Sequence, residues 1–268
     1  SSGGGLSLWS SDPILTNLTI TGNTATGEGG GLCLFDNSNP ILDNITISQN
    51  ESTHYGGGIF MIGSNPTLTN VVISENTAKA GGGIMLSDGS PTFTNLIVDS
   101  NIANGAYNNI EPPGNGGGIY MVTSDPIMTN VTVTNNFCTY WGGGVALYAD
   151  EDMAANSPIM TNMIISGNTS GSIGSGLWVM SSTPTLTNVV ISGNSNPISG
   201  GGICFAGDPD NPVVATLTNV TIVDNTAGVA GGIVLSNANI EIINSIIWGN
   251  EPNSYGASEA SSFPDFSY

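Results

Sequence analysis

The sequence predicts an all-β solenoid, a single-stranded right-handed parallel β-helix of about nine rungs with three short strands in each. Two observations predict it. A unit of about 25 residues recurs along the chain, and each unit contains three short segments in which apolar and polar residues alternate. In addition, two asparagines stand six residues apart in every unit. We expect these asparagines to form ladders at the corners of the coil.

Each unit begins with a glycine run followed by an aliphatic residue, as in Gly56-Gly57-Gly58-Ile59. The nine aliphatic positions are Leu6, Leu32, Ile59, Ile84, Ile119, Val145, Leu177, Ile203 and Ile233, at spacings of 26, 27, 25, 35, 26, 32, 26 and 30 residues. The base period is therefore 25 to 27 residues. We place the three insertions at corners, near residues 102–115, 149–157 and 206–215, because one extra residue within a strand would turn its inward row outward.

The alternating segments assign an inward and an outward face to each strand. In the third unit, the side chains predicted to point inward are Ile59, Met61, Leu68, Val71 and Ile73. Stacked strands lie about 4.8 Å apart, so nine rungs span roughly 43 Å. Frequent glycines and β-branched residues, together with the absence of a 3.6-residue period, exclude an α-solenoid.

The first asparagine of each unit falls at a bend between the second and third segments. This set is Asn17, Asn44, Asn70, Asn95, Asn130, Asn162, Asn188, Asn219 and Asn244. The second set is Asn23, Asn50, Asn76, Asn101, Asn136, Asn168, Asn194, Asn225 and Asn250. A tight corner leaves backbone groups without partners, and an amide side chain both donates and accepts hydrogen bonds. We therefore predict that the bend asparagines stack inside the corner, with Asn130 in the middle of the stack.

Some of these asparagines also lie in N-glycosylation sequons, such as Asn17-Leu18-Thr19 and Asn44-Ile45-Thr46. A side chain inside a corner could not accept a glycan. The ladder interpretation is therefore preferred.

Composition excludes several classes of partner. The chain has 20 acidic residues against one basic residue, Lys79, and its net charge is −19. Nucleic acid is excluded because phosphate binding needs lysine and arginine, and anionic membrane surfaces are disfavoured for the same reason. No apolar run approaches 18 residues, so this segment is not expected to insert into a membrane. The three cysteines, Cys33, Cys138 and Cys204, form no close-spaced pair and are predicted to be free thiols.

The combination of Gly-Gly-Gly-[Ile/Leu] with [Ile/Val]-x-x-Asn resembles the GGA[ILV] and FxxN repeats of polymorphic outer membrane proteins. Examples are Ile20-Thr21-Gly22-Asn23, Ile73-Ser74-Glu75-Asn76 and Ile191-Ser192-Gly193-Asn194. The repeat is also similar to that of large secreted bacterial surface proteins. The resemblance covers residues 3–250, with Ile or Val in place of the Phe. It implies a secreted or surface-displayed passenger, often an adhesin.

The pectin-lyase-like superfamily shares this fold, so polysaccharide chemistry has to be weighed. Lyases of that kind abstract a proton with Lys or Arg, and the only basic or imidazole side chains here are Lys79 and His54. Both lie in short corner segments without acidic neighbours in the sequence. Hydrolases would need clustered aspartates on one strand face, and the outward rows of the first strand contain none. We expect no catalytic residues, no cofactor and no enzymatic activity.

Two insertions carry acidic clusters that could hold calcium. The candidate ligands are Asp150, Asp152, Asp208 and Asp210. Neither cluster follows the spacing of an EF-hand loop. A solvated acidic loop is the alternative to a calcium site.

The outward row of the first strand is apolar in eight of nine units. Its large side chains, Phe60, Met85, Tyr120 and Trp178, are candidates for a ligand or partner surface, because exposed aromatic rings can stack on sugars. The alternative is that corner insertions cover the row or that it stabilises the sheet. On the second strand, a row of threonines such as Thr69, Thr94 and Thr129 is similar to those of ice-binding β-helices, a less favoured interpretation.

We therefore expect residues 1–250 to form the β-helix and residues 251–268 to form a tail that partly caps it or starts a further rung. The expected function is that of a non-enzymatic extracellular or cell-surface β-solenoid, acting as an adhesin stalk or surface-binding module. The alternative is a carbohydrate-binding or degenerate polysaccharide-processing β-helix. A glycan or cell-surface partner is expected. We also expect the segment to belong to a longer chain that continues before residue 1, and to associate end to end when isolated.

Overall fold

A computed structural model describes residues 2–106, 113–149, 153–253, 255–257 and 265–267 of the chain. Within these ranges the chain forms a parallel β-helix, in which consecutive rungs stack with every strand pairing parallel. No helix occurs in the same ranges. The strands form three sheets, here called sheets A, B and C, which are the sides of the coil.

Sheet A is built from the segments that follow the glycine runs. Its ten strands in the described residues are Leu6–Trp9, Leu32–Phe35, Ile59–Ile62, Ile84–Ser87, Ile119–Val122, Val145–Tyr148, Leu177–Met180, Ile203–Ala206, Ile233–Ser236 and Tyr255–Ala257. Successive strands are in register, so that Ile84 pairs with Ile59 and with Ile119. The insertion between Ile84 and Ile119, which lengthens their spacing to 35 residues, therefore does not change the register of the strands.

Sheet B contains the second and third segments of each unit. Its fourteen strands in the described residues are Ile14–Thr21, Ile41–Ser48, Thr67–Ser74, Thr92–Thr94, Ile97–Asp99, Ile127–Thr129, Thr132–Thr134, Ile159–Ser166, Thr185–Ser192, Val213–Thr218, Thr221–Val223, Ala238–Ile243, Ile246–Trp248 and Asp265–Ser267. In several rungs, the two segments run as one eight-residue strand that passes through the bend asparagine.

Sheet C is a side that the sequence pattern did not predict. It consists, in the described residues, of six two-residue strands, which are Thr24–Ala25, Glu51–Ser52, Thr77–Ala78, Ile102–Ala103, Phe137–Cys138 and Thr169–Ser170. Each follows the second asparagine of its unit. Two residues are too few to show a period, so these strands become visible only when the rungs are stacked.

The core runs along the axis and is filled by the predicted inward rows. Ile59, Met61, Leu68, Val71 and Ile73 are all buried, as expected. Glycine is required at the corner before sheet A because the chains of neighbouring rungs approach closely there. A Cβ at Gly118 would lie 2.7 Å from the carbonyl oxygen of Gly144 and 2.9 Å from Nδ2 of Asn136. The glycine runs therefore permit the packing of the coil.

The second asparagine of each unit, not the first, forms the buried ladder. The side-chain amide of each of these asparagines donates to Oδ1 of the next one, without interruption from Asn23 to Asn250. From Asn50 onward, Nδ2 also donates to a carbonyl of the preceding rung, such as that of Val98 for Asn136. Asn136 and Asn168 are 1 % and 0 % exposed, so these amides satisfy backbone groups that water cannot reach.

The bend asparagines are exposed, and the prediction that they stack inside the corner is wrong. Asn130 and its equivalents lie on the surface with φ near +55°, the left-handed conformation that asparagine tolerates better than most residues. They form an outer ladder, in which Nδ2 of Asn130 donates to Oδ1 of Asn95 at 3.1 Å. Backbone conformation, not the satisfaction of buried groups, explains asparagine at this bend.

A third ladder lies at the corner between sheets A and B. The backbone N–H of Ser38 donates to Oγ of Ser64 at 3.2 Å, and the N–H of Ser124 donates to Oδ1 of Asn156 at 2.9 Å. All four side chains are buried. Serine holds most of these positions, but Asn156 replaces it in one rung and Gly89 in another, so the sequence shows no single repeated residue type there.

Part of the expected tail adds to the stack. Tyr255–Ala257 pairs with the ninth strand of sheet A, and Asp265–Ser267 pairs with Ala238–Ile243 of sheet B. These two segments extend the sheets by one strand beyond the ninth rung.

Candidate functional site

The outward face of sheet A carries two rows of side chains. The first row contains Phe60, Met85, Tyr120 and Trp178, which are 7 %, 6 %, 6 % and 1 % exposed. These side chains are therefore largely covered, which is the alternative given for this row, and their role as a ligand or partner surface stays a prediction. They belong to a second buried cluster outside the coil, together with Cys33, Ala80, Ala146 and Cys204.

In three rungs, the cover comes from the corner residue that precedes the glycine run. Tyr55, Trp141 and Ile173 occupy this position and pack against the first row. Trp141 stacks on Trp178, with ring centroids 4.4 Å apart and an interplanar angle of 22°. Sequence reasoning missed this corner row, although the residue before each glycine run could have been aligned like any other.

Trp178 is also flanked by Tyr148, whose ring lies 6.2 Å away at 17°. The Nε1 of Trp178 is buried and has no hydrogen-bond partner among the described residues. An unpaired buried donor costs about 1–3 kcal/mol, which the stacking and the apolar burial of the ring must offset. This end of the face is therefore packed aromatic core.

The second outward row of sheet A is more exposed than the first. Trp9 is 57 % exposed and stacks on Phe35 at 4.4 Å, and Ile62 is 37 % exposed. A recess of about 640 Å³ opens here, and its lining residues include Trp9, Phe35, Phe60, Glu28 and Asp36. The face thus combines aromatic rings with acceptors for hydroxyl or ammonium groups.

A second recess, of about 350 Å³, lies further along the same face. Its lining comprises Glu28, Tyr55, Phe60, Ile62, Met85, Ser87, Tyr120, Val122, Tyr148 and Met153. Both recesses share Glu28, Phe60 and Ile62. Of these ten residues, the sequence analysis proposed Phe60, Met85 and Tyr120 for a ligand or partner surface, and it assigned no binding role to the other seven.

The structure brings the corners of Lys79 and His54 together. The backbone N–H of Lys79 donates to the carbonyl oxygen of His54 at 3.0 Å, because the two residues are one rung apart. The His54 ring lies 3.1 Å from Oγ1 of Thr53. Neither residue lines either of the recesses on sheet A.

The acidic insertions are only partly described. Asp150 and Asp152 lie outside the described residues. Asp208 is half-buried and Asp210 is exposed in a tight turn, where the backbone N–H groups of Asp208 and Asn211 each donate to the other's carbonyl oxygen, at 3.2 and 3.1 Å. No group of three or more His, Cys, Asp or Glu side chains arranged to hold a metal ion occurs in the described part of the chain.

The three cysteines are free, as the sequence predicted, and the structure shows that all three are buried. Burial raises the pKa of the Cys138 and Cys204 thiols to about 12. The pKa of Cys33 is also raised to about 12, by burial and by the negative charge of Glu28. These thiols stay protonated at neutral pH and are poor nucleophiles.

The stacked parallel rungs, the glycine corners and the buried asparagine ladder define the class of protein as a parallel β-helix repeat protein. The family model of the right-handed β-helix region matches residues 1–138, and the chain belongs to that family. The finer resemblance to polymorphic outer membrane proteins is not confirmed by this match and stays a prediction.

No curated protein matches the sequence. Among solved structures, the chain is similar to HetL, a pentapeptide repeat protein involved in heterocyst differentiation regulation from the cyanobacterium Nostoc sp. strain PCC 7120. The identity is 11 %, the alignment covers 91 % of this chain and 86 % of HetL, and the TM-score is 0.21. In the described residues, no helix is long and apolar enough to cross a membrane.

Proposed function

We propose that this chain is a non-enzymatic β-solenoid of the extracellular space or cell surface, and that it serves as an adhesin stalk or surface-binding module. The observation that carries the proposal is the unbroken ladder from Asn23 to Asn250. Each rung is bonded to the next through this ladder and through parallel strands in register. Such a coil is a stiff rod with a length of roughly 43 Å along its axis, which suits the display of a binding surface away from the cell.

The surface location is tested with antibodies raised against the purified chain. We expect them to label intact, unpermeabilised cells of the source organism or material that these cells release. Labelling confined to permeabilised cells would contradict the proposal.

The stalk role is tested by pulling on the chain from its two ends in optical tweezers. Because each rung contacts only its neighbours, we expect the rod to hold until it unfolds in steps of one or a few rungs. Gradual extension at low force, without steps, would count against a stalk.

A second candidate function is carbohydrate binding on sheet A. The observation that favours it is the exposed Trp9 ring, stacked on Phe35 and placed beside Glu28 and Asp36 in the larger recess. Aromatic faces stack on sugar rings, and carboxylates accept hydrogen bonds from hydroxyl groups.

A glycan array tests this candidate, with Trp9→Ala as the variant. The matched control is Trp248→Ala, because Trp248 is 72 % exposed but lies on sheet B. Binding of one polysaccharide that is lost in the first variant and kept in the second would support the candidate. Equal binding by both variants would rule out carbohydrate binding at the recess that contains Trp9.

A further inference from the structure

The smaller recess on sheet A exists because of one small side chain. Ser87 stands in the second outward row, paired in register with Ile62 on one side and Val122 on the other. The side chains of Ile62 and Val122 are larger than that of Ser87, and the recess lies between them over the fourth rung. Its volume of about 350 Å³ lies within the range of ligand pockets, about 300–1,000 Å³.

The lining of this recess is rich in rings. Phe60 and Tyr120 lie in the first outward row, on either side of Met85, and Tyr55 and Tyr148 also line the recess. Tyr55 and Phe60 are already in contact, with centroids 6.2 Å apart. Burial raises the pKa of Tyr120 further above neutral pH, and its uncharged ring lines the recess.

Among the residues that the structure describes, Glu28 supplies the carboxylate that lines the recess. Burial is the largest cause of the raised pKa of Tyr55 and of Cys33, and the negative charge of Glu28 is the second cause. One Glu28 oxygen accepts a hydrogen bond from the Ser2 hydroxyl, at 2.6 Å. The chain as a whole carries a net charge of −19 and has no arginine. The electrostatic field at the recess therefore favours a cation.

We propose that this recess binds an alkylammonium head group, held by the aromatic rings of Tyr55, Phe60, Tyr120 and Tyr148 and by the carboxylate of Glu28. Rings attract such cations through their negatively charged faces, and the attraction is strongest where water is excluded. An alkylated ammonium loses less hydration than a primary one, and its methyl groups contact Met85 and Met153. A neutral sugar would use the rings but gain little from the charge.

The test is a titration of the full chain with choline and with 3,3-dimethylbutanol, its uncharged carbon analogue, followed by NMR or calorimetry at physiological salt. We expect choline to bind at least about fivefold more tightly than the neutral analogue. Equal binding of choline and 3,3-dimethylbutanol would show an apolar pocket without cation recognition and would overturn the proposal. The proposal would also fail if neither choline nor the peptide described next bound to the chain.

A neutral peptide containing one trimethyllysine separates the two sources of the head group. Binding of the peptide about tenfold more tightly than choline would assign the head group to a partner polypeptide. Binding of choline at least as tightly as the peptide would assign it to a small molecule. Either result supports the site.

Two pairs of variants keep the test specific. Ser87→Val fills the recess, whereas Ser236→Val makes the same change in the same row of the ninth rung, outside it. Glu28→Gln removes the carboxylate at the recess, whereas Glu241→Gln removes one on sheet B. We expect Ser87→Val and Glu28→Gln to weaken choline binding by about fivefold or more and the controls to leave it unchanged.

If Glu28→Gln and Glu241→Gln had the same effect, the attraction would come from the overall charge and the proposal would fail. Should Ser87→Val not fold, as judged by circular dichroism, the comparison of Glu28→Gln with Glu241→Gln still decides the question, because Glu28 is only half-buried and Glu241 is exposed.

Discussion

The side-chain amide of Asn136 donates to Oδ1 of Asn168 at 3.0 Å, and the backbone N–H of Asn136 donates to the same oxygen at 2.9 Å. The same pair of bonds links Asn101 to Asn136, one rung earlier. One oxygen thus accepts both donors of the preceding rung, while the amide also donates to the carbonyl of Val98. This arrangement satisfies a buried corner with a single residue type, which explains why asparagine recurs at this position in every rung.

Substitution of a corner glycine should destabilise the coil. Gly118→Ala would place a Cβ 2.7 Å from the Gly144 carbonyl oxygen and 2.9 Å from Val133 Cγ1, so backbone would have to move. We expect the free energy of unfolding to fall by about 2 kcal/mol or more. Thermal and urea denaturation of the purified variant measures this loss.

The matched control is Gly63→Asn. Gly63 has φ of +56°, and a Cβ there would meet nothing within 4 Å. Asparagine tolerates this conformation. Asn37, whose backbone N–H donates to the carbonyl oxygen of Gly63 from the preceding rung, has a similar φ of 60°. We expect a change of about 0.5 kcal/mol or less. A loss as large as that of Gly118→Ala would show that close approach is not what requires the glycine runs.

The buried thiols should make stability depend on alkaline pH. Burial raises the pKa of Cys138 and Cys204 to about 12 from an ordinary value of 9.0, so the folded state keeps these protons between pH 9 and 12 while the unfolded state loses them. Stability is therefore full below pH 9 and falls as the pH rises above it, by roughly 1 kcal/mol for each thiol at pH 10.

Denaturation at pH 8 and pH 10 measures this effect, with Cys138→Ala as the comparison. The variant should lose less stability than the parent chain between the two pH values. Rapid alkylation of all three thiols in the folded protein at pH 8 would show that they are not buried.

Catalysis is expected to be absent. Incubation with pectate, alginate or chondroitin, with and without Ca²⁺, should yield no unsaturated product that absorbs in the ultraviolet. The proximity of the Lys79 and His54 corners makes this region the first to examine if product appears. Product formation that is lost in Lys79→Ala would overturn the non-enzymatic proposal.

The repeat made the fold predictable because rungs that pack on one another must carry equivalent residues at equivalent positions. Inward rows such as Ile59 and Met61 follow from alternation alone. The two asparagine sets were not distinguishable by residue type, since one satisfies buried backbone groups and the other adopts a left-handed conformation. The structure distinguishes the two sets because Asn136 is buried in its corner whereas Asn130 is exposed at a bend with positive φ.

The candidate site was less predictable than the fold. Alternation shows that Phe60 and Tyr120 leave the coil, but not that Tyr55 and its corner equivalents cover them. The recess itself depends on Ser87 being smaller than Ile62 and Val122 across the sheet. That relationship joins residues 25 and 35 positions apart in the chain, and the register of the rungs has to be known before it can be seen.

The most direct test of the stacked coil is a pair of denaturation curves for Asn136→Ala and Asn130→Gly. Asn136→Ala removes the bonds to Asn101, Asn168 and Val98 and leaves buried groups unpaired, at a cost of about 1–3 kcal/mol or more. Asn130→Gly removes an exposed ladder bond while keeping the left-handed conformation accessible, at a cost of about 1 kcal/mol or less. We predict a clearly larger loss for Asn136→Ala, and equal losses, or a larger loss for Asn130→Gly, would contradict the buried ladder.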